Sequence, residues 1–208
     1  MTKKQIRKLV EHLERNPKTA MIDGATALKA LQIITAEADR AKIPWALAGG
    51  VAMSYYESPR LTKDVDIIAS KTLDLEPERK LGFGGERYTA KVGKKEVPVD
   101  WIVRNDDVKV FYEKALKEAS SEKFGIPLLT PEWLVILKYI AGRFKDQQDA
   151  VFLLKQKGLV DRKLIKRKIK ETSGPGTWAA FAAGLGRWYD LADGKITTEK
   201  EDYEADRL

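Results

Sequence analysis

Asp64 and Asp66 stand one residue apart at the start of a stretch that turns fully apolar at Ile67-Ile68-Ala69. In a strand, side chains two apart face the same side, so both carboxylates project together, about 6.5 Å apart along the backbone. Val65 and Ile67 then face the other way, into a core. Two carboxylates held this close repel, and a cation relieves the repulsion. They can converge on a pair of metal ions about 3.5 to 4 Å apart. A third acid, Asp100, sits in the apolar run from Val97 to Val103, where a carboxylate needs a partner. If its strand lies beside the first, the three acids form one magnesium cage. Ions held this way do what phosphoryl transfer needs: they lower the pKa of an attacking hydroxyl and neutralise a triphosphate.

Around the acids lie groups suited to phosphate. Gly49-Gly50 stands between an apolar strand and a short helix, and lacking side chains it lets phosphates approach the backbone. Arg60, Thr62 and Lys63 precede the acid pair and can hold phosphate oxygens. Alone, an Asp-x-Asp is most often a solvated strand end, and a Gly-Gly a turn. The order carries the reading: strand, Gly-Gly, short helix, Arg-x-Thr-x-Asp-x-Asp, then a single acid in a later apolar strand.

Composition narrows the alternatives. The chain has 208 residues, no cysteine and one histidine, His12. Thiolate zinc sites, disulfide frameworks and Ser-His-Asp catalysis are thereby set aside, and any metal must sit on carboxylates, which points to a hard ion. The content of 43% hydrophobic and 33% charged residues matches an ordinary globular protein. The first residues lack the apolar region of a signal peptide, and no apolar run reaches the length of a membrane span, so a cytoplasmic location without membrane contact is expected. The formal net charge of +7 favours polyanionic partners such as RNA or NTP.

The elements that must position these residues follow from periodicity. Helices are expected at about residues 3–15, with His12 on the polar side, and at 25–41, with Leu28, Leu31 and Ile34 inward. Strands are expected at 43–48, 64–69, 87–92 and 96–103, with a hairpin turn at Gly93-Lys94. Helices are expected at 51–57, 107–120 and 161–171. Thr130-Pro131-Glu132 starts another helix that runs to Lys155 with a weak point at Gly142. Ser173-Gly174-Pro175-Gly176 reads as a linker to a last helix carrying Trp178, Phe181, Leu185 and Trp188 on one face. The expected fold is α/β (α+β): a small mixed twisted sheet flanked by helices, with a C-terminal helical region. Its parts are an N-terminal helix (1–24), a core (25–125), a helical part completing the nucleotide cleft (126–172), and a C-terminal helix with a charged tail (173–208).

Ala48-Gly49-Gly50-Val51-Ala52 and Arg60-Leu-Thr62-Lys63-Asp64-Val-Asp66-Ile resemble the core motifs of the DNA polymerase β-type nucleotidyltransferase superfamily. Within it they are similar to minimal members such as the AbiEii/AbiGii-type toxins and the small antibiotic nucleotidyltransferases. The resemblance covers residues 25 to 155. It implies that Asp64, Asp66 and Asp100 bind two magnesium ions and catalyse transfer of a nucleoside monophosphate from an NTP, ATP among the candidates, with release of pyrophosphate. It implies the nucleotidyltransferase fold as well. The family often has Ser or Thr after the glycine pair; here Val51 stands there, and Ser54 is a candidate substitute.

A second block, Lys138 to Asp149 with Arg143, Lys145 and Asp146 between, resembles the later motif of the AbiEii-like toxins. On one continuous helix Lys138, Lys145 and Asp149 fall within about 20° of one line. The resemblance implies that Lys138 contacts the triphosphate and that Asp146 or Asp149 orients it or the acceptor. Without it, the block reads as an ion-pair ladder on a solvated face. Three functional readings stay open: a toxin-like enzyme that modifies tRNA or another cellular target, with an antitoxin partner; a small-molecule nucleotidyltransferase; and a non-catalytic binding module on the same fold. The basic run Lys163, Lys166, Arg167, Lys168 and Lys170 is a candidate RNA contact or a solvated helix face.

Overall fold

The computed structural model describes residues 21–59, 61–121 and 125–197. The expected helix over residues 3–15, His12, Arg60 and the end of the charged tail lie outside them. The chain divides into two compact units, Met1–Leu129 and Thr130–Leu208.

The first unit is α+β. Its described elements are α1 (Gly24–Arg40), β1 (Trp45–Ala48), α2 (Gly49–Tyr55), β2 (Val65–Ala69), β3 (Arg79–Lys80), β4 (Glu86–Val92), β5 (Lys95–Ile102) and α3 (Lys109–Lys117). The five strands form one mixed sheet in the order β1-β2-β5-β4-β3. β2 and β5 run parallel; the other neighbours are antiparallel. Side chains alternate along the central strands as a strand's period of two requires. Val65, Ile67, Val97, Val99 and Trp101 have essentially no solvent exposure, while Asp64, Asp66 and Asp100 fall on the other face. The buried Trp101 indole donates to the Lys71 carbonyl at 2.8 Å, so its one polar group is satisfied.

α1 begins at Asp23, whose carboxylate accepts from the Thr26 amide at 2.8 Å, a side-chain cap on an otherwise orphan N–H. It packs against β4, β5 and β2. Its buried stripe is Ala27, Ala30, Leu31, Ile34 and Ala38. The expectation that Leu28 points inward is corrected: it is 37% exposed, because small alanines fill the sheet-facing stripe and leave the larger side chain outside the arc. β3, two exposed residues at the sheet edge, carries too little pattern to have been expected.

The second unit is helical over its described residues: α4 (Pro131–Ala141), α5 (Phe144–Lys155) and α6 (Arg162–Ala192). The single helix expected from Thr130 to Lys155 is two. Gly142, at φ 68°, adopts the left-handed conformation that ends α4, and α5 starts anew at Phe144. The expected linker at 173–176 is reduced to one kink within α6. Gly174 has φ 84° and ψ 171°, and Pro175 restarts the helix as its first-turn residue, where its missing N–H costs no bond. Leu185, Trp188 and Leu191 beyond the kink are buried. Among the described residues no helix is long and apolar enough to cross a membrane.

Candidate active site

The site is built on the two parallel strands of the sheet. β2 and β5 pair so that Asp66 lies directly beside Asp100. Residues paired across strands point to the same face, so a register set by the apolar side brings both acids together on the polar side. Asp64 immediately precedes β2. The segment before it is pinned: the Ile22 amide donates to the Thr62 carbonyl at 2.9 Å, and Thr62 is buried. The Thr62 hydroxyl lies 3.0 Å from Asp64 Oδ1 and 3.2 Å from the Asp64 carbonyl oxygen. Thr62 thus orients the Asp64 carboxylate from within the protein, while Lys63 is exposed.

The glycine pair lies against this apparatus. Gly49 has φ 59°, and a Cβ there would sit 1.7 Å from Asp66 Oδ2. A Cβ at Gly50 would meet the Thr62 hydroxyl at 2.7 Å. The Gly50 amide points to Asp66 Oδ2 at 3.4 Å, a long contact. The pair is therefore required first by the acids themselves, because no side chain fits between the turn and Asp66 or Thr62. Val51, in the position where a hydroxyl is common, is buried. Ser54 is exposed, and its hydroxyl points back to the Gly50 carbonyl at 3.4 Å.

One residue of the site escaped the sequence reading. Arg87 on β4 is the register partner of Asp100. Its guanidinium forms a two-pronged bond, Nε to Oδ1 at 2.5 Å and Nη2 to Oδ2 at 2.7 Å. Nη2 also lies 3.6 Å from Asp64 Oδ2. The hydrogen bonds from Arg87 to Asp100 raise the guanidinium's pKa above its ordinary value, against the opposing effect of burial. A signal for Arg87 did exist. Counting outward from the two-residue turn Gly93-Lys94, with Val92 opposite Lys95, places Arg87 opposite Asp100.

This arrangement can be tested against a metal ion. The donors are hard carboxylate oxygens, the ligand type magnesium prefers. Asp64 and Asp100 already converge on one positive group, the Arg87 guanidinium, which stands in for a cation. The residues fit a hard divalent ion in kind. As arranged, no three acids among the described residues stand close enough together to enclose one.

The second block forms a separate cluster in the helical unit. Lys138 on α4 is buried, and its ammonium lies 3.1 Å from Asp146 and 2.6 Å from Asp149 on α5. Both aspartates are buried. Arg143 closes the outer side, with Nε 2.6 Å from Asp146 Oδ2. Burial alone would raise the Asp146 pKa, but the Arg143 hydrogen bond and the nearby Lys138 charge outweigh it and hold the carboxyl below its ordinary range. Lys145 is exposed and stands apart, since the break at Gly142 removes the common helix face on which it was expected beside Lys138 and Asp149.

No protein-family model matches the chain, and no curated protein matches it in sequence. Among solved structures the chain is similar to an antigenic nucleotidyltransferase-like protein from Paracoccidioides brasiliensis. That likeness has a TM-score of 0.50 and 16% identity, and covers 84% of this chain and 94% of that one. A weaker likeness, to the antibiotic-resistance factor ANT(2'')-Ia, covers 84% of this chain and 98% of that one, with a TM-score of 0.34 and 14% identity. The fold is thus nucleotidyltransferase-like.

Proposed function

We propose that the chain is a magnesium-dependent nucleotidyltransferase that moves a nucleoside monophosphate from an NTP to an acceptor hydroxyl. The observation that carries this reading is the placement of Asp66 beside Asp100 in parallel register, with Asp64 on the same face and Gly49 against Asp66, in a nucleotidyltransferase-like fold. Magnesium bound there would supply charge neutralisation at the triphosphate and a lowered pKa at the acceptor hydroxyl. The protein's share is positional. Asp64 and Asp66 offer oxygens from one strand, Thr62 fixes the orientation of Asp64, and Asp100 contributes a nearly buried carboxylate from the next strand. The glycine turn leaves backbone, rather than side chain, facing Asp66.

For the acceptor we favour RNA, tRNA included, in a toxin-like setting with an antitoxin partner. Lys163, Lys166, Arg167 and Lys170 are all exposed and recur at i, i+3, i+4 and i+7 on α6, so they share one face. Lys168 points away from it: it is buried, its ammonium 5.1 Å from the Trp133 ring centre. A basic stripe of this kind suits a phosphate backbone. A small-molecule acceptor of the antibiotic kind would have no use for it.

The test is incubation with each of four labelled NTPs, magnesium and either total RNA or a panel of small hydroxyl compounds. Label in RNA, reduced about 10³-fold in Asp66→Asn, is expected, several kcal/mol of transition-state stabilisation being what a metal site supplies. Label in the small molecules alone would replace the acceptor. Equal labelling by Asp66→Asn would sink the metal mechanism. No nucleotide or magnesium binding in calorimetry would leave a binding module.

A further inference from the structure

Arg87 holds a position that bears on how the site is loaded. Asp64, Asp66 and Asp100 put three carboxylates on one face of the sheet, and the only cation bonded to Asp100 among the described contacts is the guanidinium of Arg87. Both oxygens of Asp100 are engaged. Arg87 and Asp100 are cross-strand partners fixed by the hairpin, so the guanidinium is delivered there by the fold itself. The pair is mostly shielded from water, side chains 21% and 10% exposed, so solvent screens it less than a surface pair. Arginine stays charged at any working pH.

We propose that Arg87 is a resident counter-ion of Asp100 and Asp64, a positioning residue that competes with divalent cations for Asp100 and so couples metal loading to nucleotide. The inference rests on the nucleotidyltransferase reading and adds an order of events. A divalent ion at Asp100 needs the oxygens that Arg87 now holds, so a free ion binds at the cost of that pair. Two equilibria that exclude each other at one carboxylate carry a coupling free energy, and removing one partner strengthens the other. A triphosphate entering with its cation changes the balance. The displaced guanidinium gains phosphate oxygens, for which its planar fork is suited, in place of the carboxylate it gives up. Arg87 thus holds Asp64 and Asp100 oriented before loading and disfavours metal without nucleotide.

The test measures metal affinity, not turnover. Manganese is titrated into the full chain by calorimetry and by electron paramagnetic resonance, with and without a non-hydrolysable NTP analogue, for the parent, Arg87→Gln and Arg87→Lys. Without the analogue, Arg87→Gln should bind manganese about tenfold more tightly than the parent, and its thermal midpoint should rise more on adding the ion. Arg87→Lys, which keeps the charge but loses the fork, should fall between and provides a reading if Arg87→Gln folds poorly. With the analogue the gap should close. A residue of merely structural value would leave affinity unchanged or lower it when replaced. Equal or weaker binding by both variants, with the parent binding normally, would overturn the proposal and leave the nucleotidyltransferase reading standing. Binding by none of the three proteins, with or without analogue, would overturn that reading and the proposal with it.

Discussion

Two clusters of charge, one in each unit, pair acids with bases at very different depths. On the sheet, Asp64 and Asp100 face the Arg87 guanidinium, and the group remains partly open: the Asp64 side chain is 33% exposed and that of Arg87 21%. In the helical unit, two aspartates face a lysine and an arginine, and Lys138, Asp146 and Asp149 are all below 10% exposure. The second cluster is balanced and closed, and it joins the two sides of the Gly142 break. The first stays partly open to solvent around the Arg87 guanidinium. Burial with matched charge is what a scaffold requires, since an unpaired buried charge is costly. The contrast in burial separates two sets of acids that residue type and spacing alone do not.

Breaking the balanced cluster should have the largest effect. Lys138→Met leaves two buried carboxylates without their shared cation, and a loss of about 3–5 kcal/mol in urea unfolding is expected. The acid limb of the stability curve carries the same signature. Because the pKa of Asp146 is depressed in the folded state, its contribution is present above the ordinary carboxylate range and lost as pH falls through the depressed value. Asp146→Asn should flatten that limb. A loss of less than about 1 kcal/mol for Lys138→Met would mean that the cluster is solvated and the contrast false.

Gly49→Ala comes next. The left-handed backbone and the 1.7 Å approach to Asp66 both oppose a methyl group, and about 2 kcal/mol or more should be lost in thermal unfolding. Combining it with Asp66→Ala should recover part of that loss. Strict additivity would show that the acid is not what the glycine accommodates.

Arg143→Ala should cost only about 1 kcal/mol, its side chain being 61% exposed, and less in high salt. A loss as large as that from Lys138→Met would erase the distinction between the core and the rim of the cluster.

The smallest change should be of the opposite sign. Asp64→Asn keeps the shape and the Thr62 contact while removing one of the repelling charges, so stability should stay within about 0.5 kcal/mol or rise. A clear destabilisation would mean that Asp64 serves the fold.

Much of the first unit was legible because its signals are local. The helix that Asp23 caps follows from its apolar period alone to within one residue at each end. The turn at Gly93-Lys94 and the strands around it follow from alternation and a short glycine loop. The pairing of β2 with β5 is not local. Nothing in the residues themselves says that Val65 lies against Val99 rather than one position away, and that register decides whether Asp66 meets Asp100. Arg87 was missed for a related reason: on β4 it looks like any other solvent-side cation until the hairpin is counted across to its partner. Gly142 interrupts the pattern without by itself saying whether the helix ends there. A helix tolerates an interior glycine at a cost of about 1 kcal/mol, and only a positive φ turns that tolerance into a stop. Leu28 shows the limit of hydrophobicity as a guide, since close packing on the sheet selected alanine over leucine.

The contact between Gly49 and Asp66 has a consequence for heredity. Two positions seventeen residues apart are locked into one unit of descent, because a side chain at 49 is excluded for as long as the acid at 66 is present. A lineage that loses the acid loses half the restraint on the glycine. What remains is the backbone angle, which asparagine also tolerates. Drift from glycine to asparagine at the first of these positions, in chains that lack the second, would mark descendants that kept the architecture after giving up its chemistry.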